Sequence, residues 1–163
     1  MSVTALSEDT VDFGDVPDNI NALLQQGVAI HSSDPARARA FFRTAIEVAP
    51  DVLPSYRCLF KLQNKLRDFD SAFETAVTAL ARAADQAALP RTWTGWSLAD
   101  VSAAPAAPRR FLLQFLKAVA FIELRRDNQD ASAKALAKLQ ELDPEDGAGG
   151  SVIAALLAHG DGA

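Results

Sequence analysis

The side chains able to do chemistry in this sequence are few and scattered. There are two histidines, His31 and His159, and one cysteine, Cys58. A zinc site or a hydrolytic triad needs such groups at short recurring spacing, or several of them brought together. Neither histidine has a companion at such a spacing, and His159 lies in a glycine-flanked tail. Cys58 follows Arg57, whose charge would favour the thiolate. A lone cysteine in a helical segment reads more simply as a small core residue. Gly147, Gly149 and Gly150 are not followed by Lys-Ser or Lys-Thr, so they mark a joint rather than a phosphate cradle. No catalytic residue, metal or cofactor is expected. What remains is a row of cations, Arg57, Lys61 and Lys65, at a four-residue spacing that places them on one face of a helix.

The charge balance decides how much such a row means. Of 163 residues, 16 are Lys or Arg and 21 are Asp or Glu, for a net charge of -5. Five acids, Glu8, Asp9, Asp12, Asp15 and Asp18, fall in the first 18 residues, which hold no base; the rest has 16 acids and 16 bases. The acidity belongs to a tail, residues 1–17, expected to be disordered. A neutral body has no global field to attract a nucleic-acid backbone, so nucleic acid is not an expected partner. No apolar run approaches the roughly 18 residues of a membrane helix. The first residues lack the basic and apolar regions of a secretory signal. A single cysteine gives no disulfide framework. The expectation is a cytoplasmic protein with no membrane partner.

The elements that must position the cations are helices. Alanine is about a fifth of the residues, and with Leu, Gln, Glu, Lys and Arg it favours helix. Apolar residues recur at three- and four-residue spacing, as in Ala38, Phe42, Ala45 and in Leu112, Phe115, Val119, Ile122. Stop and start signals predict helices over about 18–31, 35–49, 51–66, 68–87, 108–126, 128–142 and 151–158. Asp34-Pro35 is the clearest start, and Asp51 and Asp68 or Asp70 are further caps. Residues 88–107 break the pattern with Pro90, Gly95 and Pro105, and carry Trp93 and Trp96. Two tryptophans in such a segment either pin it to the helices or form an anchor for a partner or a dimer contact.

The segments also repeat. Residues 17–50 set above residues 51–84 align Asp34 with Asp68, Ala38 with Ala72, Phe42 with Ala76 and Ala45 with Ala79, each 34 residues apart. A 34-residue helix–turn–helix unit with small residues at those points resembles the tetratricopeptide repeat. Pro50 stands where the unit closes, and Tyr56 and Leu59 stand at the family's aromatic and leucine positions in the second unit. A third unit fits residues 113–146, with Ala120, Ser132, Leu136 and Pro144. The first unit lacks the family's aromatic–leucine–glycine–tyrosine series, and its Gly27 lies one place late, which implies a turn one residue longer. Phe60 and Leu139 stand where small residues are usual.

The resemblance implies an all-α fold, a right-handed α-solenoid of about three hairpins. It would form one domain over residues 18–159 with an irregular insertion at about 88–107. A C-terminal capping helix would turn Val152, Ile153, Leu156 and Leu157 inward. It also implies a non-catalytic interaction scaffold or adaptor, holding a peptide or partner helix in a concave groove lined by the first helix of each pair. The groove positions are His31; Arg57, Lys61, Asn64 and Lys65; and Lys117, Phe121 and Arg125. The family's carboxylate-clamping set of Lys and Asn is incomplete here, because the first unit has neither Lys nor Arg on its first helix. A basic groove in a neutral body suits an acidic protein segment. Residues 8–16 of the tail are one such segment. The alternative function is an assembly or secretion chaperone that shields an apolar client surface, and a homodimer is the other partner considered.

Overall fold

The computed structural model describes residues 10–161; Met1 to Asp9 of the acidic tail lie outside the described residues. Among the described residues there are eight α-helices, one 3-10 turn and no strand, so the fold is all-α. In chain order they are α1 (Asp18–Ile30), α2 (Pro35–Val48), α3 (Leu53–Lys65), α4 (Phe69–Gln86), the 3-10 turn Trp93–Gly95, α5 (Leu98–Ser102), α6 (Ala106–Arg125), α7 (Gln129–Leu142) and α8 (Gly150–Asp161). The chain divides between Leu66 and Arg67 into two compact units.

The first unit holds α1, α2 and α3. Asp34 caps α2 by accepting the Arg37 N–H at 3.2 Å, with Pro35 at the first helical position. At the start of α3 the capping position is Val52, not Asp51, and Pro54 falls in the first turn. The Tyr56 hydroxyl donates to the Pro50 carbonyl at 2.6 Å and ties α3 to the turn before it. Ile20 and Leu24 from α1, Ala38, Phe42 and Ala45 from α2, and Leu59 and Leu62 from α3 make the core. Gly27 is where the first hairpin closes most tightly. A Cβ placed there would lie 2.4 Å from Cε1 of Phe42. The turn between α1 and α2 covers 31–34, whereas that between α6 and α7 covers 126–128. The extra residue is the one implied by the late Gly27.

Residues 10–17, read from sequence as part of a disordered tail, lie along α1. The Val11 N–H donates to Oε1 of Gln25 at 3.1 Å, and Gln25 Nε2 donates back to the Val11 carbonyl at 2.5 Å. Phe13 and Val16 pack, partly buried, against the core of the first unit. Two apolar side chains thus dock a segment whose acids alone would keep it in solvent.

The second unit holds α4 to α8. Asp68 caps α4 through the Ser71 N–H, and α4 buries Ala72, Ala76, Ala79, Leu80, Ala83 and Ala84. Helix α6 packs against α4, α7 and α8. At the α6–α7 crossing the buried Ser132 hydroxyl donates to the Ala120 carbonyl at 2.6 Å. The interrupted segment contains one helix more than the sequence pattern suggests, the five-residue α5. Trp96 is 1% exposed; its indole N–H donates to the Pro90 carbonyl at 2.7 Å, and the Lys138 ammonium donates to its own carbonyl at 2.9 Å. Trp96 therefore pins the segment to the unit, while Trp93 is half-buried.

Helix α8 corrects the expected inward face. Ile153 is buried, but Val152 is 56% and Leu156 40% exposed. The cause is the close seat of Gly150, where a Cβ would lie 2.9 Å from Leu139. That seat turns the stripe through residues 150, 153 and 157 inward, leaving 152 and 156 on a neighbouring stripe.

The tight closure at Gly27 yields a stability prediction. In an exposed helix Gly→Ala gains up to about 1 kcal/mol, whereas overpacking a core costs about 1–3 kcal/mol. Gly27→Ala should lower the stability of the first unit in chemical denaturation. A variant as stable as the parent would show that α1 and α2 do not meet this closely.

Candidate partner-binding faces

In the first unit, α3 buries Leu53, Ser55, Tyr56, Leu59, Leu62 and Gln63. Arg57, Lys61 and Lys65 are exposed. The cationic row is therefore one open face of one helix. Helices α1 and α3 touch, and their C-terminal ends bring two of the expected groove residues together. The Lys65 ammonium donates to His31 Nδ1 at 3.0 Å and to the Ser32 hydroxyl at 3.1 Å. An ammonium can only donate, so Nδ1 is the acceptor in that contact. Lys65 also lies in the last turn of α3, where a cation suits the helix dipole. Among the described residues, neither Arg57 nor Lys61 is paired with a carboxylate. Asn64 is half-buried, and its enclosed Oδ1 has no hydrogen-bond partner among the described residues.

Cys58 sits on the same helix, half-buried. Burial pushes its thiol up to about 11, and the opposing pull of the Lys61 and Arg57 charges is too weak to reverse this. A neighbouring arginine therefore does not make this cysteine a nucleophile at neutral pH.

In the second unit the expected residues separate. Lys117 is directed at the turn before α8, its Nζ 3.1 Å from where a Gly149 Cβ would stand. It contributes to holding the Asp146 carboxyl below its ordinary range, after the larger effect of hydrogen bonds from Ser151. Phe121 and Arg125 stay together, with the guanidinium 5.9 Å from the Phe121 ring centroid. The same guanidinium lies 4.9 Å from the Phe69 centroid, and Arg67 stacks on Phe69 from 5.3 Å. Phe69 and Arg67 were not among the expected groove residues. The only sequence signal for them is the aromatic pair Phe69 and Phe73 one turn apart at the start of α4. Arg126 stacks on Phe73 at 4.2 Å and is paired with Asp70 at 3.0 Å and Glu123 at 2.6 Å.

Other expected features lie elsewhere. Trp96 is committed to the interior and is not an open anchor. Of the tail segment 8–16, Glu8 and Asp9 lie outside the described residues, and the Asp12 carboxylate accepts the Gly14 N–H at 2.8 Å. Among the described residues no group of His, Cys, Asp and Glu is placed to hold a metal ion, and no helix is long and apolar enough to cross a membrane.

The Cys58 environment makes a chemical prediction. A disulfide reagent at pH 8 should label the native protein far more slowly than the denatured chain. The sign of the pH dependence follows from a folded value of about 11 against an ordinary 9.0. The folded state holds the proton more tightly, so this contribution to stability is complete below about pH 9 and is lost as pH rises toward 11. Rapid native labelling at pH 8 would contradict the burial of this thiol.

Set against known proteins, the chain matches no family model, no curated protein and no solved structure.

Proposed function

We propose that this chain is a non-catalytic protein–protein interaction scaffold, built of tetratricopeptide-like helical hairpins in a solenoid, that holds an acidic segment of a partner protein on the basic face of α3. One observation carries this reading. Arg57 and Lys61 stand exposed with no carboxylate among the described residues, beside a Lys65 already held by His31 and Ser32. A lysine fixed before binding loses less rotamer freedom on meeting its ligand. Exposed ion pairs are worth about 0.2–1 kcal/mol each, so three in a row give modest affinity that salt weakens.

The repeat reading is supported by the elements themselves. Helices α2 and α4 begin at Pro35 and Phe69, and Ala38, Ala45, Ala72, Ala76 and Ala79 are all buried at the aligned places. In the third hairpin Ala120, Ser132, Leu136 and Leu139 are buried too. A non-catalytic role is supported by the neutral thiol of Cys58 and by a His31 that faces a lysine rather than an orienting carboxylate. An acidic protein segment is favoured over nucleic acid because the chain beyond residue 18 balances 16 acids with 16 bases. A second reading, shielding of an apolar client surface, is favoured by the open stripe of Val152 and Leu156 on α8.

The two readings differ in their response to salt. A labelled glutamate-rich peptide should bind the full chain at low ionic strength, and a glutamine-substituted control should not. Binding should fade toward 1 M salt, where the Debye length is about 3 Å. Replacing Arg57, Lys61 and Lys65 together by glutamine should weaken binding about tenfold or more. Binding that is indifferent to salt and to these substitutions would favour the apolar reading instead.

A further inference from the structure

The second unit contains two arginines that no carboxylate pairs with among the described residues. Arg67 and Arg125 are both exposed, and both stack on the half-buried ring of Phe69, at 5.3 and 4.9 Å from its centroid. Their guanidinium carbons are therefore no more than about 10 Å apart, close to one Debye length at physiological salt, about 8 Å. Like charges at that separation repel, and the face of one ring is shared between them. Among the described residues no carboxylate pairs with either. The acids nearby are engaged elsewhere. Asp68 accepts the Ser71 N–H as the cap of α4, and Asp70 and Glu123 are both held by Arg126. Arg126 shows what a satisfied arginine looks like in this place, with a ring beneath it and two carboxylates at its edge. Arg67 and Arg125 have the ring without the carboxylates.

We propose that Arg67 and Arg125, converging on Phe69, form an anion seat in the second unit that takes a carboxylate of an acidic partner segment, with the half-buried rings of Phe69 and Phe121 receiving an apolar side chain next to it. The proposal rests on the reading of the chain as a binder of acidic segments, and it adds a second attachment point and a sequence preference. A guanidinium placed over an aromatic face still has N–H groups to offer a carboxylate. The seat is suited to an isolated carboxylate rather than to a nucleic-acid backbone. Asp68 and Asp127 lie in the turns before α4 and α7, and Asp70 and Asp130 in the first turns of those helices, and a continuous row of phosphates would have to pass among them.

Arg67 provides a variant that spares the fold. Its φ is 61°, in the left-handed region, where glycine is at ease and a side chain is strained. Arg67→Gly should therefore melt no lower than the parent while removing half of the seat. The experiment measures fluorescence anisotropy of the full chain with a labelled peptide that alternates glutamate and leucine, with the glutamine-for-glutamate peptide and a labelled oligothymidylate as comparisons. The expected result is that Arg67→Gly and Arg125→Gln each weaken the glutamate peptide about three- to tenfold at low salt. Lys134→Gln, exposed elsewhere on the second unit, should leave it unchanged. Because one carboxylate is shared, the double variant should lose less than the product of the single losses. Fully multiplicative losses would overturn the shared seat. Tighter binding of oligothymidylate, lost in both arginine variants, would overturn the carboxylate assignment in favour of nucleic acid. Unchanged peptide affinity in both variants, with loss on replacing Arg57, Lys61 and Lys65, would overturn this seat alone. No binding of the glutamate peptide to the parent would overturn the scaffold reading with it.

Discussion

Two helices can lie close along much of their length only if the side chains between them are small, and this constraint organises both units. Alanine itself contributes little transfer free energy. Its value at Ala38, Ala45, Ala72 and Ala79 is that it lets larger neighbours reach across. In the first unit the bare backbone of Gly27 admits the ring of Phe42, and Ile20 and Leu24 then become wholly buried. In the second unit Ser132 is the small residue where α7 crosses α6, and it is tolerated because its hydroxyl donates to the Ala120 carbonyl. An unpaired hydroxyl there would cost about 1–3 kcal/mol. The high alanine content is thus a matter of spacing as much as of helix propensity.

A second consequence concerns charge. Much of the acid of the folded body is employed in fastening. Asp34 and Asp68 cap helices, Asp143 receives the N–H groups of Gly147 and Ala148, and Asp146 receives Ser151. Asp85 holds Arg91 in a two-point contact, and Asp70 and Glu123 hold Arg126. A chain with equal numbers of acids and bases beyond residue 18 therefore presents an uneven surface. The carboxylates are drawn to backbone N–H groups, for which lysine and arginine cannot compete, and Arg57, Lys61, Arg67 and Arg125 are left facing outward.

The helix boundaries were legible where local chemistry sets them. Asp34-Pro35 marks the start of α2, the three- and four-residue apolar spacing marks α2 and α6, and the position of Gly27 anticipates the longer first turn. Other features depend on distant residues and left little trace. Helix α5 is too short to show a period. The inward face of α8 is chosen by the seat of Gly150 against Leu139, not by the composition of a helix that is apolar nearly all round. The partners of Phe69 lie some 50 residues later on α6, so the pairing of Phe121 with Arg125 could be anticipated but its extension to Phe69 and Arg67 could not. Cys58 shows the same limit in reverse. Its charged neighbours are visible in the sequence, whereas the burial that outweighs them belongs to the packed helix. The row Arg57, Lys61, Lys65 was readable because a four-residue spacing needs nothing beyond its own helix.

The order of packing along the chain bears on how such a molecule assembles. In the first unit α1 meets α2 and α2 meets α3; in the second α6 meets α7 and α7 meets α8, while α4 reaches α6 across only the short α5 and its flanking loops. Among the described residues, the main helix pairings join elements that are near one another in sequence. The entropy lost in closing each loop is correspondingly small, and low contact order of this kind belongs to fast folding. Because the division falls between Leu66 and Arg67, the first three helices emerge from synthesis with their own core residues already present. Assembly can proceed in step with translation, one unit before the other.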